Sequence, residues 1–441
     1  MEKEINETPP LDDNTTAKLS KALASWYVRK DGKFYDIRRL DKKSSREDIE
    51  RAAMHRFQED YPEVTDLGSY LKPVFHTAIT QRSGSRDQSI PVWSGTSLCD
   101  PKVDSPFIWD SGMVAINTWV CPEYRKEPFN DRDIRLFDDF IDFVFVRAPE
   151  KDKFLDWLAW NLKNEGDKPT WAPFLYSEAK GSGKSTLCEL TSMLFGKKNT
   201  VIQNSVDKLT ARFNMTVLTS KLVISEELNL KAGSAQGNML KTYITETEAL
   251  AERKGVDAET VQQCCCFLFT TNHLPLWIEA DERRYYLIDV DHDGHASGPR
   301  AKEFSELVGA LKLAMTDDAF VASVHKSLIE RQLSDGFNAK TLNAIEDATP
   351  LMKRVESASE ATVVSLLREH LAETGKHAIL QKDIARIVNG ELKASISSTK
   401  HLMPKLGWNK TDVKWGGQDY KSAIWYEKGY WIESGKLYGP D

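Results

Sequence analysis

Ala172-Pro-Phe-Leu-Tyr-Ser-Glu-Ala-Lys-Gly-Ser-Gly-Lys-Ser-Thr186 is the stretch that decides the fold. Ala172 to Tyr176 is a short apolar run, the length of one buried strand. Lys180 to Thr186 is a glycine-rich loop, and an amphipathic helix follows from Lys184 to Phe195. That helix carries Leu187, Leu190 and Leu194 on one face and Gly196 just past its end. Strand, glycine loop and helix in this order make a phosphate cradle. Glycines let consecutive backbone N–H groups turn inward onto phosphate oxygens, and the helix N-terminus adds its dipole. The nucleotide-binding candidates are therefore Gly181, Ser182, Gly183, Lys184, Ser185 and Thr186. Lys184 is expected to reach the β- and γ-phosphates of ATP, and Ser185 to ligate Mg²⁺. The pattern GxxxxGK[ST] asks for glycine at position 178, where this chain has Glu178, so the loop entry is expected to differ in shape.

Such a loop needs an acid on a neighbouring buried strand. Leu222 to Ser225 supplies the strand, and Glu226 and Glu227 leave its C-terminal end. Glu226 is the expected second element of the Mg²⁺ shell, and Glu227 the group that polarises the attacking water. On its own, Ile-Ser-Glu-Glu is more often a strand running into a solvated loop; the phosphate loop upstream favours function. A third strand, within Cys265 to Thr270, ends in Thr-Thr-Asn, so Asn272 could orient the water near the γ-phosphate. The bland alternative is a turn residue before Pro275. Asp281-Glu-Arg-Arg-Tyr-Tyr286 offers Arg283 or Arg284 as a guanidinium supplied across a subunit interface, unless local acids hold them. The run His292-Asp-Gly-His295 reads as a flexible loop rather than a metal cluster.

Around this core, strands alternate with helices, which indicates an α/β fold with a mainly parallel sheet. The 441 residues make about three domains at roughly 150 residues each. A 16-residue acidic, Pro-containing start reads as a disordered tail, and residues 17–150 as an N-terminal α+β or helical collar. Residues 151–300 are the ATPase core and 301–360 a helical linker or lid. From 361 to 441, three short helices precede an aromatic ribbon of Ala423 to Glu427 and Tyr430 to Glu433, the winged-helix pattern. The net charge of −7 excludes a uniformly basic nucleic-acid coat but leaves room for a local basic site. Lys376 to Asp441 is such a place, with eleven Lys/Arg against seven Asp/Glu. Lys400 near the expected recognition helix and Lys421 in the wing are the duplex-DNA candidates; solubilising lysines over a tryptophan core are the alternative. No apolar run is long enough to cross a membrane, and the six cysteines form no CxxC pair, which fits a reducing cytoplasm.

Taken together, SEAKGSGKST, KLVISEEL, FLFTTNHLP and DERRYY, with Arg212-Phe-Asn214 before the second, resemble the superfamily 3 helicases of the AAA+ class. The similarity is greatest to the helicase module of phage and plasmid primase–helicases, firmly over residues 170–290. The resemblance implies hexameric rings that hydrolyse ATP at subunit interfaces and translocate 3′ to 5′ on single-stranded DNA. It also implies a DNA-gripping hairpin between the acidic strand and the Asn-bearing strand. Here that interval holds Arg253 and Lys254, which a solvated surface turn would explain nearly as well. No primase segment is evident before the core. The function expected is an ATP-dependent replicative DNA helicase of a phage, plasmid or mobile element in a bacterial host, acting with a primase or polymerase. The competing expectations are an origin-binding initiator whose ATPase controls assembly without unwinding, and another P-loop DNA motor.

Overall fold

The computed structural model describes residues 12–80, 86–126, 128–211, 214–231, 233–253, 256–278, 282–388 and 401–440. They divide into two compact units. One comprises Met1–Val120, Arg212–Ser220 and Glu248–Gln263; the other comprises Cys121–Ala211, Lys221–Thr247 and Cys264–Asp441.

The second unit is built on five parallel strands: β1 (Ala172–Tyr176), β2 (Thr200–Gln203), β3 (Leu222–Ser225), β4 (Cys266–Thr271) and β5 (Tyr285–Asp289). Their spatial order is β5-β1-β4-β3-β2. Every residue of β1, β3 and β4 is buried, so these strands read as continuous apolar runs rather than alternating ones. The longer helices of the unit are α1 (Arg135–Val144), α2 (Ala148–Lys163), α3 (Lys184–Phe195), α4 (Ala235–Thr245), α5 (Ala301–Ala314), α6 (Asp318–Glu330) and α7 (Pro350–Glu373). Leu187, Leu190 and Leu194 of α3 share one core cluster with Leu175, Leu222, Ile224 and Leu268 of the sheet. Each such burial contributes about 1.5–3 kcal/mol. Phe137, Phe140, Ile141 and Val144 of α1 lie in the same cluster, so α1 packs on the sheet although its sequence falls in the segment 17–150. Cys264, Cys265 and Cys266 are buried and form no disulfide, and Cys266 opens β4.

Residue 361, where the sequence pattern changes, lies inside α7, a single helix of 24 residues capped by Thr349 and opened by Pro350. Beyond it come β6 (Ala378–Leu380), α8 (Gln381–Arg386), α9 (Leu402–Lys405), β7 (Asn409–Lys414), β8 (Lys421–Tyr426), β9 (Trp431–Glu433) and β10 (Lys436–Tyr438). The expected pairing of Ala423–Glu427 with Tyr430–Glu433 does not form. β8 pairs with β6 and β7, and β9 pairs with β10. Ser434 and Gly435 both have positive φ, 51° and 74°, and close the β9–β10 hairpin as a two-residue turn.

In the first unit, residues 1–11 lie outside the described residues, but residues 12–16 are ordered. Asp12 caps the helix Asp13–Trp26 by accepting the N–H groups of Asn14 and Thr15, which corrects the expectation of a tail through residue 16. The hairpin Tyr27–Lys30/Lys33–Asp36 turns at Asp31-Gly32, both at positive φ. A separate antiparallel hairpin joins Glu248–Arg253 to Val256–Gln262, with Arg253 opposite Val256. Asn214 holds its first strand: the side-chain oxygen accepts the Glu252 N–H at 2.9 Å, and the amide nitrogen donates to the Leu250 carbonyl at 3.2 Å.

Candidate nucleotide-binding site

The chain leaves β1 at the C-terminal edge of the sheet and makes the glycine loop there. Gly181 and Gly183 carry it at φ of 84° and 91°. A Cβ on Gly183 would meet the Phe304 ring at 2.9 Å and Val144 at 3.0 Å, so both conformation and space require glycine. Glu178 is exposed, and its φ is not positive, so this position needs no glycine.

Lys184 opens α3, and its Nζ donates to Asn272 Oδ1 at 2.9 Å, to Ser182 Oγ at 3.2 Å and to the Ser177 carbonyl at 3.4 Å. Burial pushes the Lys184 pKa below its ordinary value against the opposing pull of nearby acids, Asp291, Asp289 and Glu227 among them. At the end of β3, the Leu228 N–H donates to the Thr270 carbonyl at 2.8 Å and fixes the turn that carries the two glutamates. Glu227 sits there at φ 55°, a left-handed conformation costly for a residue with a Cβ, and such strain concentrates at functional sites.

Lys184, Ser185, Glu226, Glu227 and Asn272 all line one cavity of about 640 Å³, with Phe304 and Val308 of α5 on its apolar side. That size suits a nucleotide-scale ligand. Loop, lysine, hydroxyl and carboxylates fit Mg·ATP: an inward-turned backbone, an ammonium, and the oxygen donors of Ser185 and Glu226 that a hard divalent cation takes.

The two arginines stand elsewhere. The Arg284 carbonyl accepts the Ala172 N–H at 2.9 Å, at the N-terminal edge of the sheet. A five-residue strand at about 3.3 Å per residue separates them from the glycine loop by roughly 16 Å. Neither therefore reaches the cavity of its own chain. Arg284 is held by buried Glu282 at 2.9 Å, which also pairs with Lys241 at 3.0 Å. Arg283 is exposed.

Of the DNA-binding candidates, Lys254 and Lys400 lie outside the described residues. Arg253 ends the first strand of its hairpin, and Lys421 is exposed at the start of β8.

One residue of the site escapes a reading of the sequence. His295 belongs to no flexible loop: it is 1% exposed and in T-shaped contact with Phe304 at 4.5 Å. Its Nδ1 lies 2.9 Å from Asp293 Oδ1 and 3.4 Å from Asp291 Oδ1, and its Nε2 lies 3.2 Å from the Ser182 carbonyl. Burial is the largest single influence on Asp293 and raises its pKa, but the hydrogen bonds and charge of His295, with a smaller share from His292, together hold the carboxyl below its ordinary value. His295 thereby ties the loop after β5 to the glycine loop. No local signal announces this, because the partner lies 113 residues away.

A family of unknown function, DUF5906, matches residues 175–284, which hold the glycine loop, both glutamates, Asn272 and the arginine pair. Over 216 residues, 47% of this chain, the sequence is 26% identical to the DNA primase-polymerase of Nitratiruptor phage NrS-1. The match spans 29% of that protein's length. The apo structure of the NrS-1 C-terminal region is similar at a TM-score of 0.54 and 15% identity, covering 94% of this chain and 100% of that one. An A-form apo structure of the same region gives 0.50 at 15% identity, covering 90% and 94%. At that identity the likeness is one of fold. Among the described residues, no helix is long and apolar enough to cross a membrane.

Proposed function

We propose that this chain is the ATP-hydrolysing motor of a phage DNA-replication protein, a helicase that moves on single-stranded DNA. The observation that carries the reading is the 2.9 Å contact of Lys184 Nζ with Asn272 Oδ1, made inside the cavity that also holds Glu226 and Glu227. The phage setting comes from the similarity to the NrS-1 primase-polymerase. In this reading the second unit holds an AAA+ core of the superfamily 3 kind and, within its C-terminal segment, a winged-helix domain. The working form is a ring, hexameric by the same resemblance, in the cytoplasm of a bacterial host.

Bound Mg²⁺ would neutralise phosphate charge and polarise the bond to be cleaved. Gly181 to Thr186 bind the phosphates, and Lys184 exchanges its amide partner for the γ-phosphate. Asn272, freed from Lys184, and Glu227 orient the water, with Glu227 taking its proton. Ser185 and Glu226 hold the metal. Arg283 acts on the neighbouring subunit's site, since its position at the far edge of the sheet excludes its own. The hairpin bearing Arg253 and Lys254 grips the DNA strand.

Strand displacement of a forked duplex with ATP and Mg²⁺ tests this. Unwinding by the native chain and none by Lys184→Ala is the expected result. ATP-dependent assembly on duplex DNA without displacement would establish an initiator instead. Hydrolysis indifferent to DNA would point to a different P-loop motor.

A further inference from the structure

We infer that the C-terminal ribbons, β7–β8 and β9–β10, form a second nucleic-acid site that takes single-stranded rather than duplex DNA. Bases would stack on Trp431 and Tyr438, and phosphates would lie against Lys414 and Lys421. The DNA ligand rests on the proposed function; the surface rests on observations of its own.

The first is an exposed aromatic pair. Trp431 and Tyr438 are cross-strand partners, with ring centroids 5.9 Å apart and planes at 18°. They are 51% and 42% exposed, although the C-terminal segment has a core of its own. Trp425 belongs to that core, and its indole N–H donates to Gln381 at 2.6 Å. Trp431 does not: it faces solvent on the same side of the ribbon as Tyr438, while Ile432 and Leu437 point to the other face. Flat exposed rings at a strand pair are what a base stacks on, whatever its identity.

The second is an uncompensated like-charge pair. Lys414 and Lys421 stand directly opposite each other at the end of the β7–β8 ladder, where like charges destabilise a sheet. Both are exposed, and neither makes an ion pair among the described residues. Glu433, the acid on the exposed face of β9, stands opposite Lys436 instead. The β9–β10 turn packs against the Lys414 backbone: a Cβ on Gly435 would collide with the Lys414 carbonyl. That contact sets the lysine pair beside the aromatic ribbon. Two cations held together without an acid favour an anion between them, and a backbone phosphate supplies one.

A ribbon displaying two aromatic rings suits unstacked bases, which a duplex does not offer on its outside. Strand separation produces such bases, so this surface would hold a separated strand after the motor has acted.

The test is fluorescence anisotropy of a labelled oligothymidine with the full chain in the Lys184→Ala background without nucleotide, so that failure of the motor reading leaves the result intact. Trp431→Ala is expected to weaken binding at least about five-fold, and Trp431→Phe to restore most of it. Lys414→Ala and Lys421→Ala are each expected to flatten the dependence of log K on log salt by about 0.7. An unchanged affinity in Trp431→Ala, with an unchanged melting temperature, overturns the proposal. So does tighter binding of a blunt duplex of the same length.

Discussion

Lys184 and Lys221 stand at opposite edges of the same parallel sheet, and both are buried. Lys221, at the N-terminal edge, is 0% exposed, and its ammonium donates to the carbonyls of Asp167 and Cys264 at 3.1 Å each. Lys168 beside it donates to the Cys265 carbonyl at 2.9 Å. At this edge, backbone oxygens left over by the strand starts are closed by ammonium groups, and the partners cannot leave. Lys184, at the C-terminal edge, has the Asn272 amide and the Ser182 hydroxyl as its nearest partners, and it borders an open cavity. Side chains can rotate away from an incoming phosphate; strand-end carbonyls cannot. Burial of a cation therefore marks a structural lock at one edge and an exchangeable contact at the other.

Substitutions at the two edges should separate these roles. The largest effect is expected for Arg283→Ala, which should lower hydrolysis by about 10³-fold or more while leaving the denaturation midpoint in place. Mixing it with Lys184→Ala protein should recover activity, because each variant supplies what the other lacks across an interface. Lys184→Ala alone should lower hydrolysis by about 10³-fold and leave stability undiminished, since a desolvated charge is removed along with replaceable contacts. Lys221→Met should do the reverse. With two buried carbonyls left unpaired it should lose about 2–4 kcal/mol in denaturant unfolding, with hydrolysis per folded molecule unchanged. Arg284→Ala should cost about 1–2 kcal/mol through its contact with Glu282, and its hydrolysis should exceed that of Arg283→Ala. The smallest effect is expected at His295→Leu: about a ten-fold rise in the KM for ATP with kcat nearly kept, because His295 braces the glycine loop and touches no phosphate. A fall in kcat alone would contradict that bracing role.

The C-terminal edge of the sheet was legible in the sequence because its signals are local. Gly181 and Gly183 announce a loop that only glycine can follow, and the strands ending at Ser225 and Thr271 place Glu226, Glu227 and Asn272 by register alone. The N-terminal edge was not legible. Lys168 and Lys221 look like surface lysines until the carbonyls around them are known, and Arg283 and Arg284 differ only through the buried Glu282. His295 was misread for the same reason, its partner being the distant Ser182 carbonyl. The C-terminal ribbons show a limit of a different kind. Strand propensity located Ala423 to Glu427 and Tyr430 to Glu433, but propensity does not choose partners, and the Ser434-Gly435 turn drew Trp431 to Tyr438 instead.

ATP hydrolysis by the full chain, with and without single-stranded DNA, compared between the native protein and Glu227→Gln, tests the central claim most directly. The account predicts hydrolysis that DNA stimulates in the native protein, and a loss of about 10²-fold or more in Glu227→Gln with ATP binding retained. Equal hydrolysis by the two proteins, or a variant that no longer binds ATP, would contradict the assignment of Glu227 and of the cavity at the C-terminal edge as the seat of the chemistry.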